Sequence, residues 1–395
     1  MRKKHVLFIV ENNPVPRDTR VWNEARAVRE LGYHVSIICP FEERKKGNEP
    51  FLEGIPIFRH PRPPEQEGRG ALIREYLNAL FWEFWLSLRL FLWRPFDVIH
   101  SANPPDHVFL IALPFKLFGV KYVFDHHDLT PETYVAKFGK RGLLFRLLLL
   151  MERLTLKTAN MVVSTNESYK KVAMRRGNKQ DEEVVVVRNG PTLTKMHNLS
   201  PKPHLREGFS YLVSYVGVIG QQDQVENILE IADYVVRGKK REDVKFVVIG
   251  TGTYLNAIVQ KSHDMGLDRF VQFTGYIPDR DFYEVLATSD VCINPEYGNE
   301  FTDKSTMMKV MEYMAAGKPV VQFYTVEGDF SAGAAAVCVR ENRVDRFGDT
   351  LLDLLTDPER RAAMGAFGRK RVEDKLEWAK QKENLKAAYQ RLLST

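Results

Sequence analysis

Lys309 and Glu312 are the pair of residues whose types and spacing most directly predict chemistry in this 395-residue chain. They lie in the run Ser305 to Gln322, STMMKVMEYMAAGKPVVQ, whose apolar spacing predicts a helix that leads into a buried strand. Residues three apart project from the same helical face. Free N–H groups at a helix start bind anions, so this face could hold a nucleoside diphosphate, with phosphate on Lys309 and ribose hydroxyls on Glu312. An ordinary surface ion pair is the alternative interpretation.

Glycines follow two predicted strands upstream of this helix. Gly217 and Gly220 lie in YVGVIGQQDQ, and Gly250 and Gly252 lie in VIGTGTY. A residue without a Cβ lets backbone N–H groups approach a phosphate closely. A glycine after a strand is more often only a turn. Two such pairs in one domain, upstream of a lysine and a glutamate, favour a phosphate-binding site.

His126 and His127 are adjacent, with Asp125 before them and Asp128 after them, at the end of another predicted strand. Adjacent side chains of an extended segment point to opposite faces, so both histidines cannot readily bind one metal ion. We therefore expect no metal, with one histidine facing a ligand and the other packed inside. A purely structural role for both is the alternative.

Asp18 and Arg20 lie in the loop after the first predicted strand, with Arg17 beside them. They could bind an acceptor substrate. The alternative is that Asp18 is only the N-cap of the next helix.

These residues require elements that bring strand ends together. The apolar run at 5–10, a helical pattern that stops at Gly32 and the strand Val35–Cys39 predict a βαβ unit with parallel strands. Further strands of the first half are predicted at Asp97–His100, Tyr122–Asp125 and Met161–Ser164. A proline-containing linker follows from Pro191 to Gly208. The second half has predicted strands at Tyr211–Val216, Lys245–Ile249, Val271–Phe273, Val291–Asn294 and Val320–Phe323. The pattern predicts two α/β domains with doubly wound sheets, whose ligands gather at the carboxyl ends of the strands. A final amphipathic helix is predicted from Asp374 to Leu393.

Several of these segments carry a family resemblance. VPRDTRVWNEARAVRELGYHVSIICP, FDHHDLTPE, VVRNGP, EYMAAGKPVV and SAGAAA occur in that order along the chain. Together they resemble family 4 of the glycosyltransferases. The resemblance implies the GT-B fold, in which two Rossmann-like domains face each other across a cleft. It implies an acceptor domain at 1–195, a nucleotide-sugar donor domain at 209–373, and a C-terminal helix at 374–395 that packs back on the first domain.

The resemblance also implies roles for individual residues. Glu312 would bind the ribose, His127 would contact the transferred sugar, with His126 as the second choice, and the backbone at Tyr276 and Ile277 would bind the nucleobase. The start of the Glu312 helix would contribute the remaining donor contacts, through Ser305, Thr306 and Met307.

The sequence departs from the family in two places. The usual pair of glutamates, eight residues apart, would fall on position 304 and Glu312, and position 304 is Lys304. The sugar-contacting role of the first glutamate therefore does not carry over. Where the family commonly has an arginine and a lysine in the first phosphate loop, this chain has Val218 and Gln221–Asp223. We therefore expect Lys309, helped by Arg188 or Lys304, to meet the charge of the phosphates.

The composition sets limits on function and location. A net charge of +6, 44% hydrophobic residues and 27% charged residues describe a globular protein with a modest preference for anions. No motif typical of nucleic-acid binding is present in the sequence. Three scattered cysteines indicate buried thiols and a cytoplasmic protein, and the short apolar run before Glu11 predicts a strand rather than a signal peptide.

Two apolar segments stand apart from the sheet strands. Residues 79–93, ALFWEFWLSLRLFLW, contain three tryptophans, and residues 143–156, LLFRLLLLMERLTL, are rich in leucine and arginine. Both are too short or too interrupted by charge to span a bilayer. They fit either interfacial helices on the inner face of a membrane or helices buried against a sheet.

The resemblance thus implies a retaining, metal-independent glycosyltransferase without a cofactor, whose substrate is a nucleotide sugar. The acceptor would be a glycan or a lipid-linked glycan of envelope polysaccharide or lipopolysaccharide synthesis. Two alternatives stay open, a nucleotide-sugar epimerase of the same architecture and a non-catalytic protein that binds nucleotide sugars or glycans. Lys304 argues against the epimerase, which needs acid and base carboxylates around the sugar.

Overall fold

The computed structural model describes residues 2–42, 49–61, 69–196 and 200–394. Its contacts divide the chain into two compact units. The first consists of Met1–Arg188 and Gln381–Thr395, and the second of Asn189–Lys380. The predicted linker, 191–208, lies in the second unit, contains two short 3-10 turns, and falls partly outside the described residues. The predicted assignment of acceptor and donor roles to separate domains stays a prediction.

The first unit contains an eight-stranded sheet with the order β3-β4-β2-β1-β5-β6-β7-β8. β3 pairs with β4 in the antiparallel direction and the other neighbours pair in parallel. The predicted strands of this half are confirmed, and three strands near the sheet edges, the short β3 and β8 and the six-residue β4, were not predicted. The strands are β1 (His5–Ile9), β2 (His34–Pro40), β3 (Phe51–Leu52), β4 (Ile55–His60), β5 (Val98–Ala102), β6 (Lys121–His126), β7 (Met161–Ser164) and β8 (Val184–Val186).

Helices accompany this sheet between its strands. The central strands are buried along nearly their whole length, as expected of a parallel sheet with both faces covered. The helices are α1 (Thr19–Glu30), α2 (Arg69–Trp93), α3 (Phe109–Lys116), α4 (Thr130–Phe138), α5 (Leu143–Thr158) and α6 (Glu167–Gly177). Over the ranges that the structure describes, none of the helices is long and apolar enough to cross a membrane.

The second unit contains a six-stranded parallel sheet with the order β11-β10-β9-β12-β13-β14. Its strands are β9 (Tyr211–Val216), β10 (Val244–Ile249), β11 (Val271–Gly275), β12 (Val291–Asn294), β13 (Val320–Phe323) and β14 (Ala336–Val339). Its helices are α7 (Glu226–Asp233), α8 (Leu255–Asp264), α9 (Asp279–Thr288), α10 (Met308–Ala315), α11 (Val326–Ala332), α12 (Val344–Leu355) and α13 (Pro358–Arg371). Successive strands run outward from β9 in one direction and from β12 in the other. The sheet therefore has its topological switch point between β9 and β12, where ligands of such sheets bind.

The last helix begins later than predicted. A turn of π-helix, Val372–Leu376, follows α13, Glu377 is extended, and α14 runs from Trp378 to Ser394. The backbone N–H of Trp378 donates to the Pro191 carbonyl, and a Cβ on Gly190 would lie 2.0 Å from the Leu376 carbonyl oxygen. Contact with the distant segment at Gly190 and Pro191 interrupts the helix at Glu377. The predicted continuous helix from Asp374 is therefore wrong at its start.

Candidate functional site

α10 presents the predicted residue pair at the switch point of the second sheet. Met307, just before the helix, has an extended backbone, and its own side chain makes no capping hydrogen bond. The helix start also has no acidic residue, so its N–H groups and dipole favour an anion. Ser305 is buried and its hydroxyl donates to the Phe301 carbonyl, while Thr306 and Met307 are half-buried.

Lys309 extends from the first turn of α10 toward β9 and β12. Its ammonium donates to Glu296 Oε1 at 2.5 Å and to the Tyr215 hydroxyl at 3.1 Å, and lies 4.6 Å from the centroid of the Tyr215 ring. Burial lowers the pKa of Lys309, but the Glu296 carboxylate outweighs burial and holds that pKa above its usual range. The ammonium is therefore charged throughout the neutral pH range.

Glu312 lies one turn further along α10 and is half-buried. Its charge is felt by Tyr283 of α9, because burial and then the Glu312 carboxylate raise the pKa of this tyrosine to about 12. Gly317 ends the helical segment with φ at +69°, as predicted, and β13 follows with the predicted bounds. The sequence therefore placed this helix, its stop and the next strand correctly.

Three of the glycines in the loops after β9 and β10 have N–H partners other than the predicted phosphate. The N–H of Gly217 donates to Ile249 O, that of Gly250 to Gly275 O, and that of Gly220 to Asp223 Oδ2 at 3.0 Å. These three N–H groups therefore bind within the protein, and the prediction that they face a phosphate does not fit their partners.

Glycine is required in these loops because the two of them pack backbone against backbone. A Cβ on Gly250 would lie 1.8 Å from the Gly217 carbonyl oxygen, and one on Gly252 would lie 2.4 Å from that of Ile219. Close loop packing explains Gly250 and Gly252, whereas an added Cβ on Gly217 or Gly220 would meet side chains. The loop packing brings the ends of β9 and β10 together at one edge of the sheet.

The residues predicted to bind the nucleobase follow β11. Tyr276 is exposed, whereas Ile277 is half-buried and packs against a small core cluster that includes Leu212 and Ile249. Lys304 lies in a 3-10 turn, Thr302–Lys304, ahead of α10. The roles of these residues toward a donor stay predictions.

In the first unit, Asp125 at the end of β6 organises a charged network. Its carboxylate accepts two hydrogen bonds from the Arg20 guanidinium, at 2.8 and 2.7 Å, and one from His127 Nδ1 at 3.0 Å. Burial lowers the pKa of His127, but Asp125 outweighs burial and raises it to about 9. His127 is thus an imidazolium at neutral pH, and 14% of its side chain is exposed.

The histidines point to opposite sides, as the extended backbone required. His126 is fully buried, its Nε2 lies 3.1 Å from Glu152 Oε1, and its ring stacks on Phe124. A ring without exposed surface cannot touch a substrate, so the second-choice catalytic role for His126 is wrong. His127 is the histidine that a ligand can reach.

Asp18 and Arg20 are both engaged inside the first unit. Asp18 caps α1, because its Oδ1 accepts the Val21 N–H at 3.0 Å, which agrees with the alternative interpretation of this residue. Arg20 is buried between Asp125 and the Val187 carbonyl. Arg188 is also buried, and its backbone N–H donates to Gln381 Oε1. Contacts of these residues with acceptor or phosphate stay predictions.

One group of side chains in the described ranges has metal-ligand spacing. Glu24, His100 and Asp125 place ligand atoms within 4.8 Å of one another. Arg20 lies among them, with Nη2 3.1 Å from Glu24 Oε1 and 2.7 Å from Asp125 Oδ1. The guanidinium already supplies the positive charge that these carboxylates need, so we assign no metal to them.

Sequence reasoning missed Glu296 and Tyr215, the two partners of Lys309. Glu296 follows β12 after Asn294 and Pro295. The strand-end rule that selected His127 could therefore have selected Glu296 as well. Tyr215 lies inside a buried strand, and no motif or spacing in the sequence marked it as a site residue.

Two family models match the chain. The model described as glycosyl transferases group 1 matches residues 210–357, and the model described as glycosyl transferase 4-like domain matches residues 18–190. Similar curated proteins include a GDP-mannose-dependent monoacylated alpha-(1-6)-phosphatidylinositol monomannoside mannosyltransferase of Corynebacterium glutamicum, 29% identical over 141 residues, which are 35% of this chain and 36% of the relative. A GDP-mannose-dependent alpha-(1-6)-phosphatidylinositol monomannoside mannosyltransferase of Mycobacterium tuberculosis is 28% identical over 151 residues, 35% of this chain and 37% of the relative. The matches thus span little more than a third of these relatives.

Solved structures resemble the whole chain. Sucrose-phosphate synthase from Thermosynechococcus elongatus has a TM-score of 0.77 at 17% identity, over 99% of this chain and 100% of that one. Anabaena Alr3699/HepE in complex with UDP has a TM-score of 0.73 at 14% identity, with the same coverage. WaaG, a glycosyltransferase involved in lipopolysaccharide biosynthesis, has a TM-score of 0.72 at 15% identity, over 97% and 99%. From its family models and its fold, the chain belongs to family 4 of the glycosyltransferases and has the GT-B architecture.

Proposed function

We propose that this protein is a retaining, metal-independent glycosyltransferase that moves a sugar, of the hexose type, from a nucleotide sugar to a glycan or lipid-linked acceptor. Envelope polysaccharide or lipopolysaccharide synthesis is the proposed setting. The observation that carries the proposal is the face of α10, where Lys309 and Glu312 lie near a helix start whose first turn has no acidic residue, next to the switch point between β9 and β12. The names of the relatives, which include transferases that act on glycolipids, support the class of acceptor.

The proposed chemistry is electrostatic stabilisation of a leaving group. The bond between the anomeric carbon and the diphosphate oxygen breaks, an acceptor oxygen bonds to that carbon from the same face, and the acceptor proton passes to the departing diphosphate oxygen. Negative charge grows on the departing diphosphate, where Lys309 and the N–H groups of the α10 start would stabilise it. Glu312 would hold the ribose, and the imidazolium of His127 would contact the transferred sugar.

A panel of UDP- and GDP-sugars, incubated with the protein and candidate glycan or glycolipid acceptors, tests this function. Acceptor-dependent release of the nucleoside diphosphate supports a transferase. Formation of an epimer of the donor without acceptor supports the epimerase, and saturable binding without turnover supports a binding protein. Product analysis by NMR reports whether the anomeric configuration is retained, and turnover in EDTA tests independence from metal.

Two substitutions test the donor site itself. Glu312→Gln replaces a charged acceptor of ribose hydrogen bonds, each worth roughly 1.5 to 3 kcal/mol, so we expect weaker binding of nucleoside and nucleoside diphosphate alike. Lys309→Ala should weaken the diphosphate far more than the nucleoside. Calorimetric titration measures both, with Glu359→Gln, an exposed glutamate of α13, as the control. Unchanged affinity in Glu312→Gln would remove this residue from the site.

A peripheral membrane contact is the second part of the proposal. Large apolar residues are exposed at helical spacing along three helices of the first unit, with Leu77, Phe81 and Trp85 on α2, Leu110 and Leu113 on α3 and Leu117 directly after it, and Leu143, Leu147 and Leu150 on α5. α3 contacts both α2 and α5, and we name these exposed residues of the three neighbouring helices together the apolar helix face. Exposed apolar groups of this number mark an interaction surface.

Cations accompany the apolar helix face. Arg89 lies four residues after Trp85, and Arg146 and Arg153 lie on α5 beside its leucines, all exposed. Arginines among tryptophans and leucines match the charge and depth profile of a bilayer interface with anionic lipids, where each cation contributes about 1 kcal/mol. A membrane that carries the acceptor is the partner that we propose for this face.

A further inference from the structure

The ion pair between Glu296 and Lys309 lies at the proposed donor site and has no role in the function described so far. Glu296 and Lys309 come from different elements, the loop after β12 and the first turn of α10. Their charged atoms are 2.5 Å apart, and their side chains are only 6% and 13% exposed. Tyr215 of β9 holds the same ammonium from a third element, at 3.1 Å.

Stability alone is a poor explanation for this pair. Taking two charges out of water costs free energy that a buried ion pair often fails to regain. A lysine side chain is also flexible, and fixing it costs up to about 2 kcal/mol of rotamer entropy. Two partners from separate strand ends remove that freedom in advance, so the ammonium of Lys309 has one defined position.

That position leaves one direction of the ammonium toward the loop after β9. An ammonium has three N–H donors, and the hydrogen bonds found in the described structure direct two of them at Glu296 and Tyr215. A Cβ on Gly217 would lie 3.1 Å from Lys309 Nζ. The ammonium is therefore next to bare backbone, at the switch point where a ligand of this sheet would bind.

We propose that Glu296 is a positioning residue for the donor, which fixes the ammonium of Lys309 beside Gly217 so that its remaining N–H meets the diphosphate. The inference rests on the proposed function and names a residue that the function did not include. A glutamate that holds a lysine in front of nucleotide phosphates is an established device in protein kinases, where the pair must be in place for phosphoryl transfer.

Asp223 shows why the ammonium needs to be held. Its carboxylate lies near the same loop, where it accepts the Gly220 N–H, and burial and then Glu296 raise the pKa of Asp223. When Glu296 no longer reaches Lys309, the Asp223 carboxylate, whose charge also interacts with Lys309, would attract the ammonium. Lys309 would then turn toward Gly220 and lose its alignment.

Two substitutions separate position from charge. Glu296→Asp keeps the charge but withdraws the carboxylate by one C–C bond, about 1.5 Å. Glu296→Gln keeps the length and an oxygen that accepts from Lys309, but removes the charge. Positioning therefore predicts the larger loss for Glu296→Asp, about tenfold in affinity for UDP or GDP, and a smaller change for Glu296→Gln.

The experiment is a calorimetric titration of the full chain with UDP and GDP, and a ligand-observed NMR titration with uridine and guanosine. We expect both Glu296 variants to bind the nucleoside as the wild type does. In a Lys309→Ala background, neither Glu296 substitution should change diphosphate affinity further, because its effect acts through the lysine. Asp290→Glu, which changes the side-chain length in the Arg206–Asp290 pair of the same unit, is the matched control and should leave UDP and GDP affinity unchanged.

Three results would overturn the inference. They are wild-type affinity in Glu296→Asp, a larger loss in Glu296→Gln than in Glu296→Asp, or losses that persist in the Lys309→Ala background. If the wild type binds neither UDP nor GDP, the donor site itself is refuted together with the proposed function. Binding of a diphosphate without the expected order of variants refutes only the role of Glu296.

Discussion

Asp125 determines the chemical state of His127. Its carboxylate is buried, and burial by itself would raise its pKa, but Arg20 and then His127 hold that pKa well below its usual range. The ionised carboxylate in turn keeps a proton on His127 Nδ1, to which it is hydrogen-bonded. In an imidazolium both nitrogens donate, so Nε2 of His127 can donate to a sugar oxygen or to an oxygen that gains negative charge.

Replacement of His127 tests that contact. We expect His127→Ala to lower kcat by roughly tenfold to a thousandfold, the range for one positioned donor, with nearly unchanged affinity for the nucleoside diphosphate. Steady-state kinetics and calorimetry measure the two quantities. His263→Ala, an exposed histidine of α8 that pairs with Asp268, is the control and should retain full turnover. Full turnover in His127→Ala would exclude this residue from the transfer step.

The pKa of His127 predicts a pH dependence. Because the folded pKa is about 9 and the ordinary value is 6.5, the charge of His127 favours the folded state below about pH 6.5, and this contribution is lost as pH rises through 9. If transfer needs the imidazolium, kcat falls as pH rises through about 9, the pKa of His127 in the folded state. Asp125→Asn removes the carboxylate that opposes burial, so the fall should move to lower pH. A profile unchanged by Asp125→Asn, in protein whose melting temperature shows that it is folded, would contradict the assignment.

At the scale of elements, the sequence correctly predicted the strands that consist of continuous apolar runs. Met161–Ser164, Tyr211–Val216 and Val291–Asn294 were predicted with their observed bounds, because central strands of a parallel sheet are buried on both faces. Phe51–Leu52 and Val184–Val186 were missed because two or three residues give too little pattern to detect.

The residues of the candidate site likewise divide into those that local sequence predicts and those that only the fold brings together. Lys309 and Glu312 could be found from their spacing on one helix. Glu296 and Tyr215 reach Lys309 across 13 and 94 positions of the sequence, and only the arrangement of β9 and β12 brings them together. Glycine positions were found correctly, yet their reason, backbone contact between two loops, depends on the sheet order and cannot be derived from local sequence.

The loop contact at Gly250 predicts a stability effect. Gly250 has φ at +143°, and a Cβ there would lie 1.8 Å from the Gly217 carbonyl oxygen. Gly250→Ala therefore combines an unfavourable backbone conformation with a clash, and we expect it to lower the free energy of unfolding by about 1 to 3 kcal/mol or more. Gly119→Ala, with φ at +82° and no atom within 4 Å of the added Cβ, has the conformational cost alone. Chemical denaturation of both variants compares them, and equal losses would contradict the loop contact.

At the scale of the whole molecule, the apolar helix face needs an explanation that the sheet of the first unit does not provide. Part of α2 is buried as the sequence allowed, since Leu90 contributes to the core. The outward sides of α2, α3 and α5 are different. Leu117 and Phe118, directly after α3, are 87% and 73% exposed, and the sequence interpretation did not include them. The buried side of α2 agrees with the interpretation as a helix packed against the sheet, and the proposed membrane contact concerns the exposed sides.

This face predicts binding to anionic membranes. We expect the wild type to sediment with vesicles that contain phosphatidylglycerol, and to be released by added salt, because cations contribute to the attraction. Leu117→Ser with Phe118→Ser should release the protein from the vesicles without a change in melting temperature, since both side chains are exposed. Val259→Ser, at an exposed apolar position on α8 of the second unit, is the control and should sediment as the wild type does. Transfer to a soluble acceptor analogue should be unaffected in the double variant, whereas transfer to an acceptor embedded in vesicles should fall. Equal sedimentation of the wild type and the double variant would show that this face does not bind the membrane.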